Sequence, residues 1–422
     1  MMFLLIGGIK MRHTKRPLEG IKVVELATFI AGPSCARYLA DLGADVIKVE
    51  SPKGDPLRYT AINEGRPFGD KDDVTYALEN TGKRAITLDT KSANGREALE
   101  KLIADCDIFI TNIRQNGLKR AGLDYASLSA KYPKLVFGYI SGFGEKGPDK
   151  DLPGFDYTAY FARGGVMGTM FEPAHTPMLP IAGFGDHQVG MYLASGILAA
   201  LYRAKETGIG DMVTVSLFHT AIWDIAIYLQ ANQYGDVSTQ YPVSRTQIAN
   251  QLQVAHKTKD GKWLQIAMPQ YDALYDRFMG VIQREDLIGD ARFYPQSNLK
   301  NNLEEFYNII HEEIAKLDCD EICARMDKAD LPYARCQTWN ELLEDPQAWG
   351  SDALAKVKMA NGAERTCVRT PVMFSDTELP PYERAPFLGE QTREVLATLG
   401  YTSEQIDAMI AAGEATDCKR IG

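Results

Sequence analysis

The sequence predicts an α/β fold: a large domain built on an open, mostly parallel sheet of the Rossmann type, plus a small α+β domain. Three observations support this. Short apolar runs alternate with helical patterns, and a Gly-Pro pair separates the first run from the first helix. The chain of 422 residues is also longer than the length at which a protein usually keeps a single hydrophobic core. The strand-like runs cover residues 21–27, 45–50, 84–88, 107–111 and 134–140. The helical patterns cover residues 34–43, 94–105 and 126–131.

A long helix is predicted over residues 187–205, and because apolar residues fall on most of its faces, we expect it to be buried in the large domain. A strand at 212–217 and a helical run at 219–233 follow. These elements place the first part of the large domain in residues 1–225. The sequence then becomes polar and irregular, which predicts a crossover linker over residues 226–251.

The small domain is predicted over residues 252–330. Its turn signal, Asp260-Gly261, lies between strands predicted at 254–258 and 263–268. Helices are predicted at 270–283 and 302–317. The last segment, 331–422, is predicted to contain strands near 353–358 and 365–374 and helices near 390–399 and 403–412.

Composition narrows the function classes. The chain has 46 Lys and Arg against 56 Asp and Glu, a net charge of −10, which disfavours nucleic-acid binding. Seven cysteines without a disulfide-module spacing favour a reducing cytoplasm. Cys319 and Cys323 have no second pair nearby, so we predict no metal site. The apolar start is too short to span a membrane and lacks the basic region of a signal peptide, and Met11 is an alternative start.

The junction Gly32-Pro33-Ser34 is a candidate phosphate-binding turn. It ends the first predicted strand and opens a helix, so unpaired backbone N–H groups lie at the positive end of the helix dipole. A strand at 45–50 completes a β-α-β unit. The fingerprint G-x-G-x-x-G of dinucleotide-binding domains is missing, so NAD is not favoured.

Several ordered segments closely resemble the class III CoA-transferases, across roughly residues 17 to 400. They read PLEGIKVVELATFIAGPSCARYLADLGADVIKVESPKGDPLR, NTGKRAITLD, GLDYASLSAKYPKLVFGYISGFGEKGPDKDLPGFDY, GDHQVGMYLASGILAALY, TGIGDMVTVSL and FLGEQTREVLATLG. The resemblance implies ring-shaped subunits interlocked in a homodimer, and residues 331–422 returning to complete a large CoA-binding domain. It also implies coenzyme A as a co-substrate and no permanently bound cofactor.

Asp186 is the first candidate for catalysis. From the residues alone, Gly-Asp before a long apolar helix is most often a helix N-cap. The resemblance implies that Asp186 is the nucleophile, and the two roles are compatible. A carboxylate that attacks a thioester forms a mixed anhydride and then an aspartyl-CoA thioester. Backbone N–H groups near residues 183–185 are candidate oxyanion donors. For the adjacent His187, a first-turn helix position is favoured over acid–base catalysis.

The resemblance also implies the contacts to CoA, since particular positions of this sequence match those that the family uses. These positions are Ile30, Ala31, Ser51, Leu88, Lys91, Asn112, Ile113, Arg114, Arg120, Pro153, Phe155 and Asp156. Arg120 and Lys91 suit phosphate, although a lone surface cation is most often merely solvated. Some members carry arginine at the position of Ser51, so that basic contact is expected to be either absent here or replaced by Lys53 or Arg58.

Two alternatives stay open beside the transferase: a racemase-type epimerase of the α-methylacyl-CoA kind, and a CoA-binding protein without turnover. Related racemases use a histidine in a G-H-D motif, where this chain has Gly154-Phe155-Asp156, and Phe155 cannot abstract a proton. A serine hydrolase is disfavoured because no G-x-S-x-G motif is present. The glycine-rich segment of the formyl-CoA enzymes is missing from residues 252–268, which disfavours oxalate and formate as substrates.

Within the family, three segments resemble the branch of the cinnamoyl-CoA:phenyllactate and 2-hydroxyisocaproate CoA-transferases. They read ESPKGDPLRYTA, GFGEKGPDKDLPGFDYTAYFARGGVMGT and MPQYDALYDRFMG. This resemblance implies transfer of CoA from an enoyl-CoA to an (R)-2-hydroxy acid derived from an amino acid.

Overall fold

The computed structural model describes residues 15–378 and 380–422. The apolar start and Met11 therefore lie outside the described residues. The chain divides into two compact units. The first comprises residues up to Gly164, Pro180–Asp224 and Asp345–Gly422, and the second comprises Gly165–Leu179 and Ile225–Glu344. The second unit thus takes in more of the chain than residues 252–330.

A six-stranded parallel sheet organises the first unit, with strand order β3-β2-β1-β4-β5-β6. The strands are β1 (Lys22–Leu26), β2 (Asp45–Glu50), β3 (Arg84–Thr87), β4 (Ile108–Thr111), β5 (Val136–Ser141) and β6 (Met212–Ser216). The predicted open parallel sheet is confirmed. The order reverses between β1 and β4, and such a reversal opens a crevice at the carboxyl ends of the strands.

Helices connect the strands of both units. In chain order they are α1 (Ala31–Asp41), α2 (Ala61–Glu64), α3 (Val74–Asn80), α4 (Ala93–Ala104), α5 (Gln115–Ala121), α6 (Tyr125–Lys131), α7 (Val166–Thr169), α8 (Phe184–Thr207), α9 (Leu217–Asp224), α10 (Ala226–Ala231), α11 (Tyr271–Val281), α12 (Leu303–Ile314), α13 (Cys319–Lys328), α14 (Trp339–Glu344), α15 (Pro346–Gly350), α16 (Thr392–Thr398) and α17 (Ser403–Ala411). A π-helical segment, Asp156–Ala162, precedes α7.

Apolar side chains of the central strands form the core of the first unit with α4, α16 and α17. Phe109 and Phe137, on adjacent strands, are fully buried with ring centroids 5.4 Å apart. Leu99 of α4 and Leu396 of α16 join the same cluster. Burial of this apolar surface is the main term that stabilises the sheet.

The long helix α8 begins three residues earlier than predicted. Its N-cap is Gly183, with φ of +84°, and Asp186 lies within the first turn and is not the cap. The expectation that α8 is buried in the large domain holds for only part of its surface. Val189, Leu193 and Ile197 are buried, but Tyr202 on another face is 73% exposed.

The second unit combines a three-stranded antiparallel sheet with helices α11 to α13. Its strands are β7 (Ala255–Lys257), β8 (Trp263–Ile266) and β9 (Tyr333–Arg335), in that order across the sheet. The hairpin predicted around Asp260-Gly261 is confirmed, whereas β9 was not predicted. The helical run predicted at 219–233 is interrupted at Ile225, between α9 and α10.

The segment that follows returns to the first unit. Strands β10 (Leu354–Lys358) and β11 (Glu364–Val368) form an antiparallel pair, so β11 ends earlier than the predicted strand at 365–374. Across the residues that the structure describes, no helix is long and apolar enough to cross a membrane.

Candidate active site

A cavity of about 630 Å³ lies where the strand order reverses, at the carboxyl ends of β1 and β4. Its walls are formed by the loop Thr28–Ala31 after β1, the segment Asn112–Gly117 after β4, and residues 150–155. Residues 139–142 at the end of β5, together with Arg120, Asp186 and Leu217, complete the lining. Open α/β sheets place their ligands at this position.

The loop after β1 is fastened by side chains from other elements. The Asn112 side chain accepts a hydrogen bond from the Thr28 N–H at 3.1 Å and donates one to the Thr28 carbonyl at 2.8 Å. Asp55 accepts from the Phe29 N–H at 3.0 Å, and Lys48 donates to the Ala27 carbonyl at 3.1 Å. These contacts fix the backbone that forms one cavity wall.

A cluster of fully buried charges supports this loop from below. Glu25 of β1 accepts hydrogen bonds from Lys48 at 2.8 Å and from Lys83 at 2.7 Å. Lys48 also pairs with Asp55 at 2.9 Å, and Lys83 donates to the Pro33 carbonyl of α1 at 2.9 Å. Burial lowers the pKa of Lys83 to about 8, although Glu25 opposes this shift. Each charge in the cluster has an opposite partner, as buried charges require.

Asp186 lies in the first turn of α8, partly buried at the cavity wall. Burial, and then the negative charge of Asp156, raise the pKa of Asp186 to about 7, while the neighbouring His187 opposes the rise. Within the described part of the chain, no hydrogen bond to the Asp186 carboxyl group contributes to this shift. The residue lines the cavity, where a ligand would meet it.

Two glycines let α8 approach its neighbours closely. A Cβ on Gly185 would lie 2.4 Å from the Tyr160 ring and 2.5 Å from Asp156 Oδ1, and a Cβ on Gly190 would lie 2.0 Å from Ser34 Oγ of α1. Only glycine fits at these contacts. Both α1 and the π-helical segment therefore hold the first turns of α8 in place.

Asp156 braces the start of α8. Its Oδ1 accepts a hydrogen bond from the Gly185 N–H at 3.1 Å, and its Oδ2 is buried without a partner among the described residues. Burial raises the pKa of Asp156 to about 6, although the amides of Gly183 and Gly185 oppose the rise. Asp156 does not line the cavity. The Gly185 amide, one of the expected oxyanion donors, instead donates to this carboxylate.

His187 pairs with a buried carboxylate. Its Nε2 lies 2.8 Å from Glu79 Oε1, and the Glu79 side chain is only 3% exposed. Burial disfavours the charged ring, but the hydrogen bond and charge of Glu79 outweigh it and raise the pKa of His187. Glu79 therefore favours the protonated form of the ring beside Asp186. This pair could not be predicted from the sequence, because Glu79 and His187 are 108 positions apart.

Three cations line the cavity: Arg114, Arg120 and Lys150. All three residues are exposed, and among the described residues none of their side chains has an ion-pair partner. Such free cations are suited to phosphate groups. Lys150 was not predicted from the sequence.

The other predicted CoA-binding positions divide into two groups. Ile30, Ala31, Asn112, Ile113, Pro153 and Phe155 line the cavity. Ser51 and Lys91 are exposed and Leu88 is buried, and these three residues lie outside the lining.

Arg58 was expected to contact CoA, and the structure contradicts this expectation. Its guanidinium is 2% exposed and donates to both carboxylate oxygens of Glu50, at 2.9 and 2.7 Å. It also stacks on Tyr76, 3.8 Å from the ring centroid. Because these buried partners hold it, Arg58 is not available to a nucleotide.

Comparison with known proteins identifies the family. A family model described as CoA-transferase family III matches residues 18–392. The chain is 50% identical over 400 residues to the cinnamoyl-CoA:phenyllactate CoA-transferase of Clostridium sporogenes, covering 94% of this chain and 97% of that protein. It is 43% identical over 390 residues to the (R)-2-hydroxy-4-methylpentanoate CoA-transferase of Clostridioides difficile, covering 92% and 97%.

A solved structure agrees with this result. The crystal structure of a CAIB/BAIF family protein from Brucella suis superposes with a TM-score of 0.78 at 30% identity, covering 91% of this chain and all of that one. The chain therefore belongs to CoA-transferase family III and is a CoA-transferase, with coenzyme A as its co-substrate.

Proposed function

We propose that this enzyme transfers CoA from an enoyl-CoA to an (R)-2-hydroxy acid derived from an amino acid, with Asp186 as nucleophile. The single observation that carries the proposal is the position of Asp186, which lines the cavity at the carboxyl ends of β1 and β4. The names of two relatives, which specify phenyllactate and (R)-2-hydroxy-4-methylpentanoate, support the choice of acid.

In the first half-reaction, an Asp186 oxygen attacks the thioester carbonyl of the donor. The carbon–sulfur bond breaks, leaving an acyl-aspartyl anhydride and CoA thiolate. The thiolate then attacks the Asp186 carbonyl carbon. The donor acid leaves as a carboxylate, and an aspartyl-CoA thioester remains.

In the second half-reaction, the acceptor carboxylate attacks this thioester and releases CoA thiolate again. The thiolate attacks the acceptor carbonyl of the new anhydride, which gives the acyl-CoA product and restores the Asp186 carboxylate. Protons and electrons balance over the cycle without an oxidant or a base. This proposal therefore requires an ionised Asp186 and exclusion of water from the anhydride.

The site supports these requirements in two ways. His187, held by Glu79, lowers the pKa of Asp186 and so favours its reactive form against burial. The fixed loop after β1 and the braced start of α8 hold the reacting groups in place before substrate binds. We assign no oxyanion role to the Gly185 amide, because Asp156 accepts its hydrogen bond.

We propose that CoA extends across the cavity from Asp186 toward the free cations. Arg114 and Arg120 are suited to its phosphates, and Lys150 adds a third positive charge. Ile30, Ala31, Asn112, Ile113 and Pro153 are placed to contact the pantetheine arm. We also propose, from the family resemblance, an interlocked homodimer in the cytoplasm. A monomeric mass by light scattering would contradict the dimer.

Product analysis tests the proposed function. Purified enzyme is incubated with a panel of enoyl-CoA donors and (R)-2-hydroxy acids, and the CoA products are identified by mass. We expect transfer by the native enzyme and by Glu206→Gln, a control in the exposed last turn of α8. We expect no transfer by Asp186→Ala. Full activity of Asp186→Ala would overturn the assignment of the nucleophile, and exchange of the α-proton with solvent would instead support a racemase.

A further inference from the structure

Two phenylalanine rings occupy the cavity wall near Asp186. Phe29 is 37% exposed and Phe155 is 60% exposed, and both residues line the cavity. Their rings pack edge to face with centroids 6.1 Å apart. This geometry is favourable for aromatic pairs, and exposed apolar groups at a ligand cavity mark a contact surface.

Phe29 is held in a backbone conformation that bulky residues rarely adopt. Its φ is +62°, in the left-handed region. The Phe29 N–H donates to Asp55, which is itself fixed by Lys48 in the buried charge cluster. Strained residues of this kind persist only where surrounding contacts impose them, and they concentrate at ligand-binding sites. The charge cluster therefore helps to hold the Phe29 backbone in this conformation.

Phe155 is fixed by a different set of contacts. Its N–H donates to Thr158 Oγ1 at 3.0 Å, and its carbonyl accepts from the Ala159 N–H at 2.8 Å. The next residue, Asp156, holds the Gly185 amide at the start of α8. The Phe155 ring is thus positioned by the same segment that braces the helix carrying Asp186.

The cavity has two chemically different parts. Arg114, Arg120 and Lys150 supply positive charge, whereas Phe29 and Phe155 present apolar surface. The first part suits the phosphates of CoA, and the second suits an uncharged hydrocarbon group. Ile30 adds to the apolar part beside the start of α8, since its Cδ1 would lie 3.1 Å from a Cβ on Gly183.

We propose that Phe29 and Phe155 bind the acyl group and select acids with an aryl or bulky aliphatic side chain over small ones. This inference rests on the proposed function, because it assumes that the acyl group is joined near Asp186. From the sequence, Phe155 was expected to contact CoA itself. The present proposal instead assigns Phe155 to the acyl group.

Binding measurements in an Asp186→Asn background test this assignment without requiring turnover. The dissociation constants of 3-phenylpropanoyl-CoA, acetyl-CoA and free CoA are measured by calorimetry. Removing either ring, in Phe29→Gly or Phe155→Leu, is expected to raise the dissociation constant of 3-phenylpropanoyl-CoA by about tenfold. The affinities for acetyl-CoA and free CoA are expected to change less than about twofold.

These variants also guard against a trivial loss of folding. Glycine accepts the positive φ of Phe29, so Phe29→Gly relieves backbone strain while it removes the ring. Phe68→Leu is the matched control, because Phe68 is 44% exposed and stacks on Tyr59 outside the cavity lining. It is expected to leave all three affinities unchanged.

Two results would overturn the assignment. Equal weakening of all three ligands would place the rings against the pantetheine arm, and unchanged binding of 3-phenylpropanoyl-CoA would show that the rings contact no ligand. Failure of the proposed function is distinguishable from both. If native enzyme transfers no CoA but the ring variants still lose selectivity for the aryl group, the transfer proposal falls and the acyl site stands.

Discussion

Two groups of charges on either side of the loop after β1 behave in opposite ways. Below the loop, Glu25, Lys48 and Lys83 are fully buried, and each is paired within 3 Å. In the cavity, Arg114 and Arg120 are exposed and, among the described residues, unpaired. Paired buried charges hold the backbone in one conformation, and unpaired exposed ones are free to meet a ligand. Asp186 lies between these two groups in character, because it is partly buried but has no compensating hydrogen bond among the described residues.

The largest expected effect separates catalysis from stability at Asp186. Asp186→Asn should reduce transfer by about 1,000-fold or more, since the amide cannot act as nucleophile. It should also raise the free energy of unfolding at pH 8, on the order of 1 kcal/mol, because the native carboxylate is destabilised there.

The sign of the stability effect follows from the raised pKa. Since folding raises the pKa of Asp186 to about 7, native protein binds more protons than unfolded protein between about pH 4 and 7. The advantage of Asp186→Asn should therefore be small at pH 3, grow up to pH 7 and then stay constant. Urea unfolding at several pH values measures it. Lower stability of the variant at pH 8 would contradict this account.

Removing a charge from the buried group should give the next largest effect, a loss of free energy of unfolding. Glu25→Gln leaves Lys83 without its main partner, so we expect the free energy of unfolding to fall by about 3–5 kcal/mol. Glu97→Gln breaks the exposed pair with Lys101 and is the matched control. Chemical denaturation should show a large shift for the first variant and no measurable shift for the control. Similar shifts for both would remove the distinction between the two charge groups.

Changing the free cations should alter binding and leave stability unaffected. Arg120→Gln should raise the KM for acyl-CoA by about tenfold, with less effect at high salt. Lys259→Gln, which removes an exposed charge from the second unit, should not change KM. An acyl-pantetheine substrate without the nucleotide is the second control. If Arg120→Gln weakens acyl-pantetheine equally, Arg120 does not contact phosphate.

The smallest expected effect is on the pH profile, and two variants should move it in opposite directions. Transfer requires ionised Asp186, so kcat should rise with pH through about 7. Asp156→Asn removes a negative charge and should shift this limb to lower pH, by up to about 1 unit. His187→Asn removes the ring that lowers the pKa of Asp186 and should shift the limb to higher pH. Shifts in the same direction would show that neither charge acts on Asp186.

Sequence reasoning located the parallel sheet because its strands are continuous apolar runs between helical patterns. Asn112 and Asp186 came from the family resemblance, because from the residues alone Asp186 at the start of a long helix was most often a helix N-cap. Sequence reasoning failed for β9, a three-residue strand with no buried residue, which pairs only because β8 lies beside it. Local periodicity cannot predict such tertiary pairing.

The same limit applies to the site. Arg58 appeared free in the sequence, but folding places it against Glu50 and Tyr76. The pair between His187 and Glu79 joins positions that are far apart in the chain. The positive φ of Phe29 has no signal in its residue type, because a buried acceptor imposes it. Contacts of long range decide which charges become paired, so residue type alone did not separate structural from ligand-binding groups.

Trapping of the covalent intermediate tests the central claim most directly. Enzyme is incubated with acyl-CoA during turnover, treated with hydroxylamine and digested. The mass and the fragment ions of the peptide containing Asp186 are then measured by mass spectrometry. The account predicts a hydroxamate on Asp186 that forms only with acyl-CoA. Continued turnover with Asp186 unmodified, or a hydroxamate on another carboxylate such as Asp156, would contradict it.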